Sequence, residues 1–128
     1  MSGPKTLDQR RAEHGWNVVQ AVKGKAEPQK KQFGTQAKKL PTRIMAAGLG
    51  QALAFLLAKG YAPELQDALS DWIAARRQPK AGEDGRLLVR LLHGEADFQR
   101  WATAECLAYL EWLVRFADAE GMTGGEED

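Results

Sequence analysis

The sequence predicts an all-α protein, a compact single-domain bundle of about five to six helices in which the last helix is the longest and central. Apolar residues recur at intervals of three and four positions in successive segments, which is the pattern of helices with one buried face. No segment alternates apolar and polar residues, and no tight hairpin turn is present, so the sequence indicates no β-strand. Glycines and prolines separate the apolar segments.

The N-terminal third predicts two helices. Thr6 and Gln9 fit a capping box, after which comes an apolar stripe formed by Leu7, Ala12, Trp16, Val19 and Val22. The segment from Gly24 to Pro28 ends this helix. Pro28 fits the first turn of the next helix. The second helix has a stripe that must be buried, formed by Phe33, Ala37, Leu40 and Ile44. Pro41 either kinks this helix or begins a new one.

Four more apolar segments follow, and the final one is the longest. The first should be a buried helix that ends at Lys59 and Gly60, and it contains Leu49, Leu53, Leu56 and Leu57. Pro63 opens a helix with an amphipathic face of Leu65, Ala68, Leu69, Trp72 and Ile73. After a loop from Pro79 to Gly85, a short helix carries Leu87, Leu88, Leu91 and Leu92. The last helix runs from about Glu95 to about Glu120 and carries Phe98, Trp101, Tyr109, Trp112 and Phe116.

Length and composition are those of an ordinary globular domain. The chain has 128 residues, of which 44% are hydrophobic and 27% charged. We assign residues 1–120 to a single helical domain and residues 121–128 to a flexible acidic tail. We find no signal peptide, no apolar run long enough to span a membrane, and one cysteine, which cannot form an intramolecular disulfide. We therefore expect a cytoplasmic protein without membrane contact.

The charges are distributed unevenly along the chain. Residues 1–43 hold ten lysines or arginines and three acidic residues, whereas residues 44–128 hold eight basic and fourteen acidic residues. This asymmetry favours contact between the N-terminal part and a polyanion, and the alternative is a solvated basic face. The second helix presents basic side chains opposite its apolar stripe or on the flanks, namely Lys30, Lys31, Lys38, Lys39 and Arg43.

The sequence contains no recognisable catalytic or metal-binding pattern. Neither Ser2 nor Ser70 stands in a nucleophile-elbow sequence. His14 and His93 are isolated, so each is expected to be a surface or capping side chain. Cys106 has no basic neighbour within a turn and should be a small core residue. We therefore expect no enzyme activity, cofactor, metal or small-molecule substrate.

Three other residues allow two interpretations each. Glu105 has apolar neighbours on its helical face, so it is either a functional buried carboxylate or, as we favour, a half-exposed residue or a partner in a salt bridge to arginine. Gly48 and Gly50 lack the strand, third glycine and Gly-Lys-Ser/Thr sequence of phosphate-binding loops. We expect close helix packing at these glycines, and the alternative is close approach of a partner's backbone.

Three blocks of sequence, in this order and spacing, resemble the small helical subunit of the type III-B CRISPR effector, the Cmr complex. They are Phe33-Gly34-Thr35 with Ala37-Lys38-Lys39-Leu40-Pro41; Gly48-Leu49-Gly50-Gln51 with Leu53-Ala54-Phe55-Leu56; and Arg100-Trp101-Ala102-Thr103-Ala104-Glu105 with Leu107-Ala108-Tyr109-Leu110 and Trp112-Leu113. The resemblance covers roughly residues 16–60 and 98–117. This chain has Ala47 where the family often has asparagine, which affects a local turn.

The resemblance implies a non-catalytic protein in RNA-guided antiviral defence. In this family several copies of a helical bundle stack along the complex, beside backbone subunits that grip the guide RNA. Target RNA pairs with the guide in the channel between the two rows. Cleavage belongs to the backbone subunits and further activities to the large subunit. The implied partners are these subunits, further copies of the chain, and the guide RNA and target RNA.

Within this interpretation, the basic residues of the N-terminal part are the RNA-binding candidates. We predict that Lys31, Lys38, Lys39 and Arg43 face nucleic acid, supported by Lys23, Lys25 and Lys30. Two alternatives stay open. One is a stand-alone helical nucleic-acid-binding protein, such as a helix-turn-helix regulator, and the other is a helical scaffold that acts only through protein contacts.

Overall fold

The computed structural model describes residues 3–123, which form six helices and no strand. The helices are α1 (Leu7–Lys23), α2 (Glu27–Ala47), α3 (Leu49–Lys59), α4 (Pro63–Arg76), α5 (Leu87–His93) and α6 (Ala96–Ala119). None of the helices in this range is both long and apolar enough to cross a membrane. The predicted all-α class and the number of helices are confirmed.

The helix boundaries follow from local sequence signals. At the start of α1, the backbone N–H of Gln9 donates to the Thr6 hydroxyl at 3.0 Å, and the backbone N–H of Thr6 donates to the Gln9 side chain at 2.8 Å. The predicted capping box is therefore present. Helix α2 continues through Pro41, which begins no new helix. Gly60 ends α3 in the left-handed conformation that glycine adopts readily.

The core forms where the stripes of α2, α4 and α6 meet. All four predicted stripe residues of α2 and all five of α4 are buried. Helix α6 has 24 residues, packs against α1, α2 and α4, and buries Tyr109, Leu110 and Leu113 completely. It is the longest helix and lies centrally in the bundle, as predicted.

Three large apolar residues are more exposed than their stripes predict. Trp16, Leu57 and Leu92 are 44%, 58% and 70% exposed, respectively. Trp16 keeps an edge-to-face contact with Phe116, with ring centroids 5.3 Å apart. Each of the three lies at the margin of its stripe. The residue before it, which is Gly15, Leu56 or Leu91, is buried and points about 100° away around the helix. The prediction that α3 is buried holds for Leu49, Leu53 and Leu56 and is wrong for Leu57.

The described chain continues beyond α6 as a packed segment. Gly121 turns with φ of 74°, after which Met122 and Thr123 are buried, at 3% and 8% exposure. Met122 and Thr123, which belong to the predicted flexible tail, are therefore packed, and the rest of that predicted tail, residues 124–128, lies outside the described residues. Met122 is buried because it lies against α2. A Cβ atom on Gly34 would lie 2.2 Å from the carbonyl oxygen of Met122.

We expect Gly34→Ala to lower the free energy of unfolding by about 2 kcal/mol. The added methyl would collide with the Met122 backbone, an overpacking cost of up to about 3 kcal/mol, which the better helix propensity of alanine offsets by about 1 kcal/mol. Gly50→Ala is the matched control, because its Cβ position has no described packing neighbour within 4 Å, apart from its chain neighbours and the backbone of its own helix. Urea denaturation of both variants measures the difference, and equal stability of the two would contradict the contact.

Candidate nucleic-acid interface

The outer face of α2 carries basic side chains on the side opposite its buried stripe. Lys31, Lys38 and Lys39 are exposed, while Phe33 and Leu40 on the inner side are completely buried. The angular spacing of about 100° per residue separates the two sets, as the sequence predicts. Positive charge and core packing therefore occupy different faces of one helix.

An open groove of about 510 Å³ follows this outer face. It is lined by Thr35, Lys38, Lys39, Thr42, Arg43, Ala46 and Thr123. The structure thus brings three of the predicted RNA-binding residues, Lys38, Lys39 and Arg43, to one groove. Lysine, arginine and threonine side chains all donate hydrogen bonds to phosphate oxygens without reading bases. The groove therefore contains several hydrogen-bond donors of the kind that bind phosphate.

The guanidinium group of Arg43 is held in place by two contacts. Its Nη1 donates to the Gln36 side-chain oxygen at 2.7 Å, and its carbon lies 4.3 Å from the ring centroid of Phe55. A cation over an aromatic face is stabilised by the ring quadrupole. These contacts leave other guanidinium N–H groups for an anion in the groove. The sequence interpretation included Arg43 and missed the part played by Gln36 and Phe55.

The other predicted residues lie in different surroundings. Lys23 pairs with Glu120 at 3.2 Å, Lys25 with Glu64 at 4.0 Å and Lys30 with Glu27 at 2.9 Å. No ion pair involves Lys31 or Lys39 within the described part of the chain. Exposed pairs contribute up to about 1 kcal/mol, so a phosphate can compete for these lysines. The groove residues and Lys31 are nevertheless the better placed set.

Glu105 forms the predicted salt bridge. Its oxygens accept from Arg11 Nε at 2.6 Å and Arg11 Nη2 at 3.0 Å, and from the indole N–H of Trp72 at 2.8 Å. Burial by itself raises the pKa of Glu105, but hydrogen bonds from Arg11 and Trp72 and the charges of Arg11 and Arg76 outweigh it. The pKa of Glu105 is therefore below its ordinary value, and the carboxylate joins α1, α4 and α6.

His14 belongs to the same region and is not a capping side chain. Its Nδ1 lies 2.6 Å from the Tyr109 hydroxyl, and its Nε2 lies 2.7 Å from a carboxylate oxygen of Asp71. The ring of Tyr109 stacks on that of Trp72, with centroids 5.6 Å apart. The surface role predicted for His14 is wrong, because α4 and α6 supply partners 57 and 95 residues away.

Cys106 and Tyr109 are titratable side chains of α6 that lie in the core. Cys106 is completely buried, as predicted for a core residue, and burial raises the pKa of its thiol. Burial likewise raises the pKa of Tyr109. Between residues 3 and 123 no three His, Cys, Asp or Glu side chains are grouped so as to hold a metal ion.

Close helix packing at Gly48 and Gly50 is not observed. Apart from chain neighbours and the backbone of the same helix, no described atom lies within 4 Å of the Cβ position at either glycine. Gly48 instead has φ of 93° at the turn between α2 and α3, a conformation that side chains other than glycine rarely adopt. Turn geometry therefore explains Gly48, and the close approach occurs at Gly34.

The fold and the sequence were compared with known proteins. A sequence model described as "CRISPR-associated protein (Cas_Cmr5)" matches residues 7–120. The chain belongs to the Cmr5 family. A crystal structure of a CRISPR-associated Cmr5 family protein from Thermus thermophilus is similar, with a TM-score of 0.70 and 29% sequence identity. The match covers 90% of this chain and 97% of that one. The resemblance to the small Cmr subunit is confirmed.

The Cmr5 match extends over the part of the chain where the sequence resemblance gave no motif. That part, residues 65–94, contains most of α4, the following loop and α5. Its apolar spacing is typical of many helical bundles. Membership of the Cmr5 family therefore rests on nearly the whole chain.

A second surface of this Cmr5-family protein was not predicted from sequence. The guanidinium of Arg77 lies 4.1 Å from the ring centroid of Trp101, and that of Arg90 lies 4.8 Å from Phe98. The two rings lie 6.0 Å apart at the start of α6. A signal existed, because Phe98 and Trp101 are three residues apart on one helix. Their arginine partners come from the end of α4 and from α5 and could not be assigned.

Proposed function

We propose that this Cmr5-family protein is a non-catalytic small subunit of the type III-B CRISPR ribonucleoprotein effector. Several copies stack along the complex and line the channel that holds guide RNA and target RNA with the basic face of α2. The protein acts in RNA-guided antiviral defence in the cytoplasm. The observation that carries this proposal is the groove that contains Lys38, Lys39 and Arg43.

The groove suits an RNA partner that changes from one target to the next. Lysine and arginine gain affinity by releasing the counterions of phosphates, a contribution that does not depend on base sequence. Base pairing with the guide supplies the sequence specificity in RNA-guided complexes. A basic helix face without base-reading side chains is therefore sufficient for a subunit that lines the channel. Lys31 extends this face, and Lys23, Lys25 and Lys30 flank it.

Protein contacts are supported by a different part of the surface. Met45, Leu57 and Leu92 are large apolar side chains that are at least 58% exposed. A cavity of about 430 Å³ between α3, α5 and α6 is lined by residues that include Leu88, Leu92 and Thr103. Exposed apolar area of this kind favours contact with another copy or with backbone and large subunits. A helical scaffold without RNA contact is the second candidate, supported by these same residues.

Affinity purification from the native host tests the proposed function. The chain is tagged, recovered gently, and the accompanying RNA and proteins are identified. We expect short RNAs that share one repeat-derived 5′ tag, together with several larger subunits. Recovery of the subunits without RNA would favour the scaffold, and recovery of the chain alone would contradict both.

A further inference from the structure

An open cleft lies where α4, α5 and α6 meet. Its volume is about 610 Å³, and its walls come from the end of α4, the loop that follows, α5 and the start of α6. The side chains of Arg77, Arg90 and Phe98 are among those that line it. The cleft shares no lining residue with the α2 groove. It is therefore a separate site from the candidate RNA-binding face.

Two guanidinium groups of the cleft are held in place without a counter-ion. That of Arg77 lies over Trp101 and that of Arg90 over Phe98, two neighbouring rings of α6. Within residues 3–123, neither guanidinium takes part in an ion pair or a hydrogen bond. An aromatic face orients a cation but carries no net charge to neutralise it. The cleft thus presents two oriented cations with free N–H donors.

Arg90 gives the stronger indication of a missing anion. Its side chain is half-buried, and its Nη1 is fully buried without a hydrogen-bond partner among the described residues. Buried donors in folded proteins are nearly always paired, and a partly buried charge without a counter-charge is unfavourable. The same side chain lines the cleft. An anion bound there would supply the negative charge that the fold does not place beside Arg90.

The acidic residues of the cleft limit the kind of anion that fits. Asp84 is paired with Arg86 and Asp97 with Arg100, yet all four of these side chains stay exposed at the rim. Glu95 adds a further exposed carboxylate. A nucleic-acid strand brings many phosphates, which these carboxylates repel. A partner that places a single negative group between the two arginines avoids that repulsion.

The shape of the cleft favours a side chain of another protein over a small molecule. Sites for small molecules enclose most of the ligand surface, whereas this cleft is open and Arg77 is exposed. Arginine and aromatic residues are enriched in the cores of protein interfaces. The planar fork of a guanidinium also matches the two oxygens of a carboxylate.

We propose that the cleft docks a protein partner through an aspartate or glutamate side chain, which Arg77 and Arg90 hold. The rings of Trp101 and Phe98 keep the two guanidinium groups oriented before the partner arrives, so little side-chain freedom is lost on binding. The docking goes beyond the proposed function and does not depend on RNA binding at α2.

An NMR titration of the full chain tests the docking. The probe is a capped pentapeptide, Ala-Gly-Glu-Gly-Ala, and its matched control has glutamine in place of the glutamate. We expect saturable shifts of the Nε–H signals of Arg77 and Arg90 and of the indole N–H of Trp101. The glutamine peptide should bind at least about tenfold more weakly, because its hydrogen bonds lack the charge of the carboxylate.

A pair of protein variants shows whether the arginine forks hold the carboxylate. Arg77→Lys combined with Arg90→Lys keeps both charges and removes both forks, so it should weaken binding of the glutamate peptide at least about fivefold. Arg115→Lys is the control, because Arg115 is exposed on α6 and does not line the cleft. It should bind like the wild type. The two-peptide comparison needs no variant and stays valid if the double variant folds poorly.

The docking is overturned if neither peptide causes saturable shifts, if both peptides bind equally, or if the double lysine variant binds like the wild type. A single-stranded RNA oligonucleotide tests the competing ligand. Tighter binding of the RNA than of the glutamate peptide at Arg77 and Arg90 would also overturn the docking, since the site would then be one for phosphate. RNA shifts confined to α2 would support both the docking and the proposed function. RNA that shifts neither surface, with the peptide still bound, would contradict the RNA-binding role alone.

Discussion

Glu105→Ala should lower the free energy of unfolding by about 3 kcal/mol, because it removes one partner of a buried ion pair. The Glu105 side chain is 4% exposed and that of Arg11 is 17% exposed, so water replaces the lost contacts poorly. The indole N–H of Trp72 also loses its acceptor. In the variant, Arg11 still pairs with Asp8, which lies 3.1 Å away in the wild type. The expected loss of stability is therefore at the low end of the range for breaking a buried ion pair.

Urea denaturation at neutral pH measures this loss, and two variants define its cause. Glu105→Gln keeps an acceptor for Trp72 and should cost less than the alanine variant. Glu13→Ala removes the exposed pair between Glu13 and Lys5 and should cost less than about 1 kcal/mol. If Glu105→Ala and Glu13→Ala lowered the free energy of unfolding equally, the buried ion pair would contribute no more to stability than the exposed one.

The pH dependence gives an independent measure of the same network. The pKa of Glu105 is lowered in the folded protein, so its charge stabilises the fold fully at pH above the ordinary glutamate value of 4.5. This contribution is lost as the pH falls through the lowered folded pKa. Wild type should therefore lose more stability than Glu105→Gln on acidification below about pH 4.5. If the stability of the two proteins fell equally with pH, a lowered pKa of Glu105 would be contradicted.

Reversing three charges on α2 should weaken target-RNA binding by the assembled complex at least about tenfold at about 0.1 M salt. The variant combines Lys31→Glu, Lys38→Glu and Lys39→Glu, and it spares Arg43, whose contacts to Gln36 and Phe55 support the fold. Each lost phosphate contact also reduces the salt dependence. The slope of log K against log salt should fall by about 2 for each copy that touches the RNA.

A matched variant separates the α2 face from net charge. Lys59, Lys80 and Arg115 are exposed and lie on α3, in the loop after α4 and on α6. Reversing these three changes the total charge by the same amount away from the groove. We expect RNA binding close to wild type, and filter-binding titrations over a salt series compare the two variants. An equal loss in both would show that overall charge, rather than the groove, determines RNA binding.

The sequence by itself determined the helices and their inner faces. The capping box at Thr6, the end of α3 at Gly60 and the stripe that contains Phe33 all depend on residues within a few turns of each other. Such signals are local, so periodicity and cap chemistry are enough to find them. The order of three motifs, read together with these helices, also identified the family.

Only the tertiary structure decided which residues from different helices meet. It assigned Arg11 to Glu105 across 94 positions, Asp71 and Tyr109 to His14, and Thr123 to the groove of α2. It also left Trp16 and Leu57 exposed, although their helical positions are apolar. The physical reason is that helical periodicity fixes the direction of a side chain on its own helix. The crossing angles and lengths of neighbouring helices then determine what covers it.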